Sequence, residues 1–173
     1  VLDVLAERTG SRFSNHKKVR ARVAEGRLGM MPGGVPGPRV VLAAPSVLMN
    51  LSGGPVAGLV SYYGLDPATR LLVIHDELDL PAHELRLKRG GGEGGHNGLR
   101  SISKSVSTKD YARLRVGIGR PPGRQDPSGF VLSDFPGRER ADLAVTLEQA
   151  ADAVEQVVTL GLEAAQQRLH APR

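Results

Sequence analysis

Apolar residues recur along this chain in several distinct rhythms, and each rhythm predicts an element. Val1, Leu2, Leu5 and Ala6 repeat at helical spacing and predict a helix that Gly10 ends. From 19 to 28 the pattern switches to alternation, with Val19, Ala21 and Val23 set against Arg20 and Arg22, as in a half-exposed strand. Pro and Gly dominate 30–38 and predict a loop. The runs 39–44 and 70–76 are short and continuously apolar, so both are expected as buried strands, the second delivering His75 and Asp76 at its end. A helix is expected from about Pro55 to Tyr63. Residues 84–88 alternate, and so do 111–119, where Leu114, Val116 and Ile118 oppose Arg113 and Arg115. A Pro/Gly-rich loop is expected over 120–129. A long amphipathic helix should follow over 137–160, and a last one over roughly 162–170. No internal repeat is present. This alternation of strands and helices predicts an α/β fold: a single domain with a twisted mixed β-sheet flanked by helices. Ligands of such sheets gather beyond the carboxyl ends of strands, and Asn50, Asp76, His96 and Asn97 all follow strand-like runs.

The pattern breaks in one place, Lys88 to Gly98. Six of these eleven residues are Gly, at 90, 91, 92, 94, 95 and 98. Without Cβ, this backbone can approach a ligand closely. Leu99–Val106 can continue as a helix, with Asn97 as its N-cap. A helix start beside a glycine loop presents N–H donors, which favour a phosphate or a developing oxyanion. The string Gly90-x-Gly92-x-x-Gly95 also matches a dinucleotide-binding fingerprint. The acidic residue that fingerprint needs at the end of the next strand is missing, because Asp110 comes before that strand.

Charge sharpens the picture. The 173 residues carry 23 basic and 18 acidic groups, net +5. Residues 80–125 alone hold 10 basic and 3 acidic groups, so the excess surrounds the glycine loop and points to a polyanion such as a tRNA-like or nucleotide ligand. With no Cys, disulfides and thiolate metal sites are excluded. No 18-residue apolar run or signal peptide is visible, so no membrane contact is expected and the cytoplasm is the default compartment. Six aromatic residues are too few for an extended base-stacking platform, which leaves backbone-directed electrostatics as the way to hold a nucleic acid.

Few side chains can do chemistry. Asp76 can accept from an imidazole and fix its tautomer, or can serve as a turn residue. His75 alternates to the other face and reads as structural. His96 can bind substrate, orient water or act as a base. His16, His83 and His170 are isolated in polar contexts, and the histidines lack metal-ligand spacing, so neither a metal nor any other cofactor is expected. Asn50 can position a water or a tetrahedral oxyanion, or can cap a turn. No Gly-x-Ser-x-Gly elbow supports a serine nucleophile.

Four blocks then occur in order: Met49-Asn50-Leu51-Ser52-Gly53, His75-Asp76-Glu77-Leu78-Asp79-Leu80-Pro81, the run from Gly90 through His96-Asn97-Gly98 to Ile102, and Arg113-Leu-Arg115-Val-Gly-Ile-Gly-Arg-Pro121. In these the chain resembles the bacterial peptidyl-tRNA hydrolases, monomeric metal-independent esterases, along essentially all of its length. The resemblance implies cleavage of the ester between a peptide and the terminal ribose of tRNA, with peptidyl-tRNA as the partner and the tRNA released for reuse. It implies that Asp76 holds and polarises a catalytic His, and that Asn50 positions the water or stabilises the oxyanion. Leu48, Met49, Asn50, Gly95, His96 and Asn97 line the substrate site, Asn97 at the peptidyl-adenosine end. Lys88 and Arg115 clamp the 5′-phosphate region of the tRNA.

The chain departs from that family in two ways. The family's general-base His, together with an Asn and a Tyr, lies in a strand and loop just before the helix that starts here at Val1. The chain is therefore expected to lack that strand and loop and to be inactive or nearly so, since loss of a general base costs about 10²–10⁴-fold. Leu48 stands where the family has an aromatic residue, which keeps an apolar contact and removes stacking. The rival reading is a non-catalytic RNA- or partner-binding relative, against which Asp76 argues, because a pure binder has no use for it.

Overall fold

The computed structural model describes residues 1–120 and 139–171, which divide into two compact units. The first unit comprises 2–73 and 89–112. It opens with α1 (Leu2–Thr9), which buries Leu5 and Ala6. A three-stranded antiparallel sheet follows, built from β1 (Ser14–Asn15), β2 (Ala21–Arg27) and β5 (Arg39–Pro45) in the order β1-β2-β5. Its register runs from Ala21 opposite Pro45 to Arg27 opposite Arg39. Between them, the segment expected as a plain loop forms a short hairpin of β3 (Met30–Met31) and β4 (Val35–Pro36). The turn glycines 33 and 34 sit at positive φ, so two adjacent glycines let this segment pair with itself. A 3₁₀ turn (Met49–Leu51) leads into α2 (Gly53–Tyr62), and α3 (Pro67–Arg70) is capped by the Asp66 carboxylate, which accepts from Ala68 N–H at 3.1 Å. α4 (Asn97–Val106) closes the unit. Two apolar clusters hold it together. One is Ala21, Val23 and Leu59, with Val19, Val41 and Ala43 against them; the other is Leu99, Ile102 and Tyr111, with Val56, Leu71, Val73 and Val106.

The second unit comprises Val1, 74–88 and the described residues from 113 onward. Its frame is the sheet of β6 (Leu72–Glu77), β7 (Leu85–Arg89) and β8 (Ala112–Gly117) in the order β6-β8-β7. β8 runs parallel to β6, with Ile118 N–H on Glu77 O, and antiparallel to β7, with Gly117 N–H on Glu84 O. The fold is thus α/β with mixed strand pairing, as expected, although the pairing divides among three sheets rather than one. α5 (Arg140–Leu160) and α6 (Leu162–His170) complete the unit, broken apart at Gly161. The Pro/Gly loop expected over 120–129 falls, from 121 on, outside the described residues.

Two sequence expectations fail here. The runs 39–44 and 70–76 are half-buried rather than fully buried, and the alternation over 111–119 does not put Arg113 outside. Arg113 is 1% exposed and is the largest fully buried side chain among the described residues. In β8, Ala112, Arg113 and Leu114 are buried in succession, so both faces of the strand are covered there and alternation cannot sort its residues.

Two of the histidines with no signal in the sequence make hydrogen bonds to distant elements, His170 as acceptor and His83 as donor, since the Thr146 hydroxyl gives its proton to Asp142 O. β7 is an edge strand, and the Leu87 backbone finds its partners on α6: its N–H donates to His170 Nε2 at 3.1 Å, and its carbonyl accepts from Gln166 Nε2 at 3.1 Å. The i, i+4 spacing of these two side chains covers one residue of an otherwise open edge. His83 Nδ1 meets Thr146 Oγ1 of α5 at 2.8 Å. Burial, and then the Arg86 guanidinium, hold the His170 imidazole below its ordinary pKa of 6.5. The folded state therefore binds fewer protons than the unfolded state just below that value. The stabilisation is fully present above about pH 6.5 and fades as pH falls through the lowered folded value. Urea unfolding between pH 7.5 and 5 is expected to show a falling midpoint, and His170→Gln, which keeps an acceptor and cannot titrate, should flatten that fall.

Candidate active site

The first unit brings two of the expected amides to one crease. The 3₁₀ turn carrying Asn50 is tied to the start of α2 by Ser52 Oγ, which donates to Met49 O at 2.8 Å. The start of α2 is tied in turn to α4, where Gly53 N–H donates to Ser101 Oγ at 2.9 Å. The approach is so close that a Cβ on Gly53 would lie 2.1 Å from Ser101 O. A Cβ on Gly98 would lie 2.6 Å from Met49 Sδ and 2.9 Å from His96 Cε1. These two contacts seat the turn bearing Asn50 against the first turn of α4, and Asn50 and Asn97 then line one open crease of about 650 Å³. Arg100, Ser101, Lys104 and Ser105 line it further along α4.

The cap of α4 differs from expectation. His96, not Asn97, is the N-cap: its Nδ1 accepts from Leu99 N–H at 3.1 Å, and Asn97 is the first helical residue. An imidazole that accepts at Nδ1 is neutral there and carries its proton on Nε2. Capping by the longer side chain leaves the Asn97 amide exposed beside the crease. The glycine loop enters the cap through Gly94 and Gly95, both at positive φ. It is held by His96 N–H on Glu93 O at 2.9 Å and by Lys109 Nζ 3.5 Å from the Glu93 carboxylate. Leu48, Met49 and Leu51 are 72, 56 and 55% exposed, an apolar ledge on the turn that carries Asn50.

The second unit holds Asp76, Lys88 and Arg115. Asp76 is half-buried in β6. Its neighbour His75 is buried and, as expected, structural: its Nδ1 lies 2.7 Å from Asp76 O and donates to it, since a carbonyl only accepts. Arg115 is not a bare cation. Its Nε and Nη2 donate to one Glu77 oxygen at 3.0 and 2.9 Å, and both side chains are largely buried. Burial, followed by the Arg115 and Arg113 guanidinium groups, lowers the Lys88 pKa from its ordinary 10.5, with the Glu77 carboxylate opposing them. Sequence reasoning missed Arg113 and Glu77 as members of this cluster, and Gly53 and Ser101 as the staple of the other. Arg100 and Lys104 had a signal, their one- and two-turn spacing from Asn97.

A sequence model described as peptidyl-tRNA hydrolase matches residues 1–173. The chain belongs to the peptidyl-tRNA hydrolase family. A peptidyl-tRNA hydrolase of Kineococcus radiotolerans is 63% identical over 172 residues, covering 99% of this chain and 86% of that protein. One of Nocardia farcinica is 57% identical over 170 residues, covering 98% and 84%. The crystal structure of peptidyl-tRNA hydrolase from Acinetobacter baumannii is similar with a TM-score of 0.85 at 32% identity, covering 99% of this chain and 83% of that one. The expectation of inactivity finds no support in these family matches, which run along the chain from end to end. No described helix is long and apolar enough to cross a membrane.

The glycine contacts generate a test with opposite signs. On helix propensity alone, Gly→Ala in a helix stabilises by up to about 1 kcal/mol. Gly54→Ala, which meets nothing within 4 Å, is expected to stabilise. Gly98→Ala should destabilise by about 1–3 kcal/mol through overpacking against Met49 and His96, and Gly53→Ala by at least as much, since it meets backbone. Denaturant midpoints of the three variants check this.

Proposed function

We propose that this protein hydrolyses the ester joining peptide to tRNA in peptidyl-tRNA, acting as a monomer in the cytoplasm without metal or covalent intermediate. The observation that carries the reading is the crease that joins the Asn50 and Asn97 amides to Arg100 and Lys104 along α4. Amides can position water and donate to an oxyanion, and the cations suit the phosphates that follow an ester on a nucleic acid end. Asn50 orients the attacking water or takes the oxyanion. Asn97 binds the terminal nucleoside. Leu48 and Met49 provide the apolar ledge on which that end rests, and Gly95 lets the loop backbone approach it.

His96 binds substrate as a donor through Nε2–H, because its Nδ1 is spent on the helix cap. By the family resemblance, Asp76 is the carboxylate that holds and polarises the general-base His, a residue distinct from the five histidines of this sequence. Lys88 and Arg115 take the tRNA 5′-phosphate. The lowered Lys88 pKa supports this, because burial and the guanidinium groups near it make its charge costly until an anion arrives.

Peptidyl-tRNA hydrolysis by the protein tests the reading. Asn50→Ala is expected to lower kcat about 10²–10³-fold with little change in KM, as for loss of one transition-state donor. Lys88→Gln should raise KM and leave kcat unchanged. Failure of the unmutated protein to release peptide above buffer would defeat the proposal.

A further inference from the structure

Between Glu7 and Glu25 the chain carries Arg8, Arg12, Lys17, Lys18, Arg20 and Arg22 and no carboxylate. The net charge of the whole chain hides this cluster, because the nearest acids, Glu7 and Glu25, lie outside it. From Arg12 onward all five cations are exposed. Among the described residues none of the five has a carboxylate within ion-pair distance. Arg22 instead lies 5.5 Å over the Phe13 ring.

The loop that presents them is pinned. His16 Nδ1 accepts from the N–H of both Lys18 and Val19, at 3.0 and 3.1 Å. Its ring meets Tyr62 edge-on at 4.6 Å, and Tyr62 meets Tyr63 at 4.9 Å. Val19 sits against α2 so closely that a Cβ on Gly58 would be 3.0 Å from its Cγ2. The cluster is thus fastened to the last turns of α2, whose first residue, Gly53, lies at the Asn50 crease. Ten residues at 1.5 Å each put the two ends about 15 Å apart.

We propose that this cluster is a second nucleic-acid-binding surface, which holds the phosphodiester backbone of the substrate RNA about 15 Å from the ester site. The identity of that RNA as part of the substrate rests on the proposed function; the binding surface itself does not. Uncompensated cations on a pre-ordered loop gain counterion release on meeting a polyphosphate and lose little entropy in doing so. An anionic membrane is the weaker match, because such surfaces place large apolar side chains beside the cations. Tyr62 is the one large apolar group exposed here.

The test variant replaces Lys17, Lys18 and Arg20 together by Gln and spares Arg22 with its ring contact. Binding of deacylated tRNA is measured across a range of salt, alongside hydrolysis of peptidyl-tRNA and of a peptidyl ester on a short 3′-terminal oligonucleotide. The affinity for deacylated tRNA is expected to fall about tenfold at low salt, and the slope of log K against log salt to shrink by about 2–3. KM for peptidyl-tRNA should rise at unchanged kcat, and the short ester should be cleaved as before. Unchanged affinity and slope would overturn the proposal. So would an equal loss on the short ester, which marks a disturbed site. Loss of binding to phosphatidylserine vesicles with tRNA affinity intact would overturn it in favour of a membrane surface. If neither protein hydrolyses peptidyl-tRNA and the tRNA affinities still differ as expected, the proposed function fails and the binding surface stands.

Discussion

α2 and α4 approach each other so closely that a methyl group does not fit where they meet. Gly53 faces the Ser101 carbonyl, and Gly98 faces Met49 and the His96 ring. Side chains at those two positions would hold the helices apart, and the 3₁₀ turn that carries Asn50 would move with α2. The Gly53–Ser101 hydrogen bond fixes the distance, and the apolar cluster of Leu99, Ile102, Tyr111 and Val56 holds the pair together. What results is a preorganised amide pair. Neither Asn50 nor Asn97 depends on its own burial for its position, because the backbone beneath each is set by packing. Such an arrangement can present donors to a developing charge without reorganising when it forms.

Electrostatics divides into groups already satisfied and groups held ready. Arg115 is satisfied in part by Glu77, and Arg86 donates to Glu84 at 3.0 and 2.7 Å. Lys88 is held ready: buried stem and neighbouring guanidinium groups make its charge costly without an anion. The cluster at 12–22 is the other extreme, exposed and without a carboxylate partner among the described residues.

The periodic elements were legible because one face of each is buried. α1, α2, α5 and α6 begin and end within a few residues of their expected bounds. Where a residue's surroundings come from distant chain, the sequence misled. Arg113 read as exposed because alternation assumes an open face, and β8 is covered on both faces at 112–114. Asn97 read as the cap because Asn outranks His at that position, yet the imidazole one residue earlier reaches Leu99 N–H and frees the amide for the crease. His170 read as silent because its partner, Leu87, lies 83 residues away. The staple at Gly53 was invisible for the same reason, since Ser101 is 48 residues distant. Position after strand-like runs singled out Asn50, Asp76, His96 and Asn97, family likeness added Leu48, Met49, Gly95, Lys88 and Arg115, and the geometry of the first unit explains why Asn50 and Asn97 belong to one crease.

That shared crease is the central claim, and a double-mutant cycle between Asn50→Ala and Asn97→Ala on kcat/KM for peptidyl-tRNA tests it most directly. Two amides held against one substrate end should be coupled, and the account predicts an interaction free energy of about 0.5–3 kcal/mol. Additivity to within about 0.3 kcal/mol would mean that the two residues act on the substrate independently, and would contradict it.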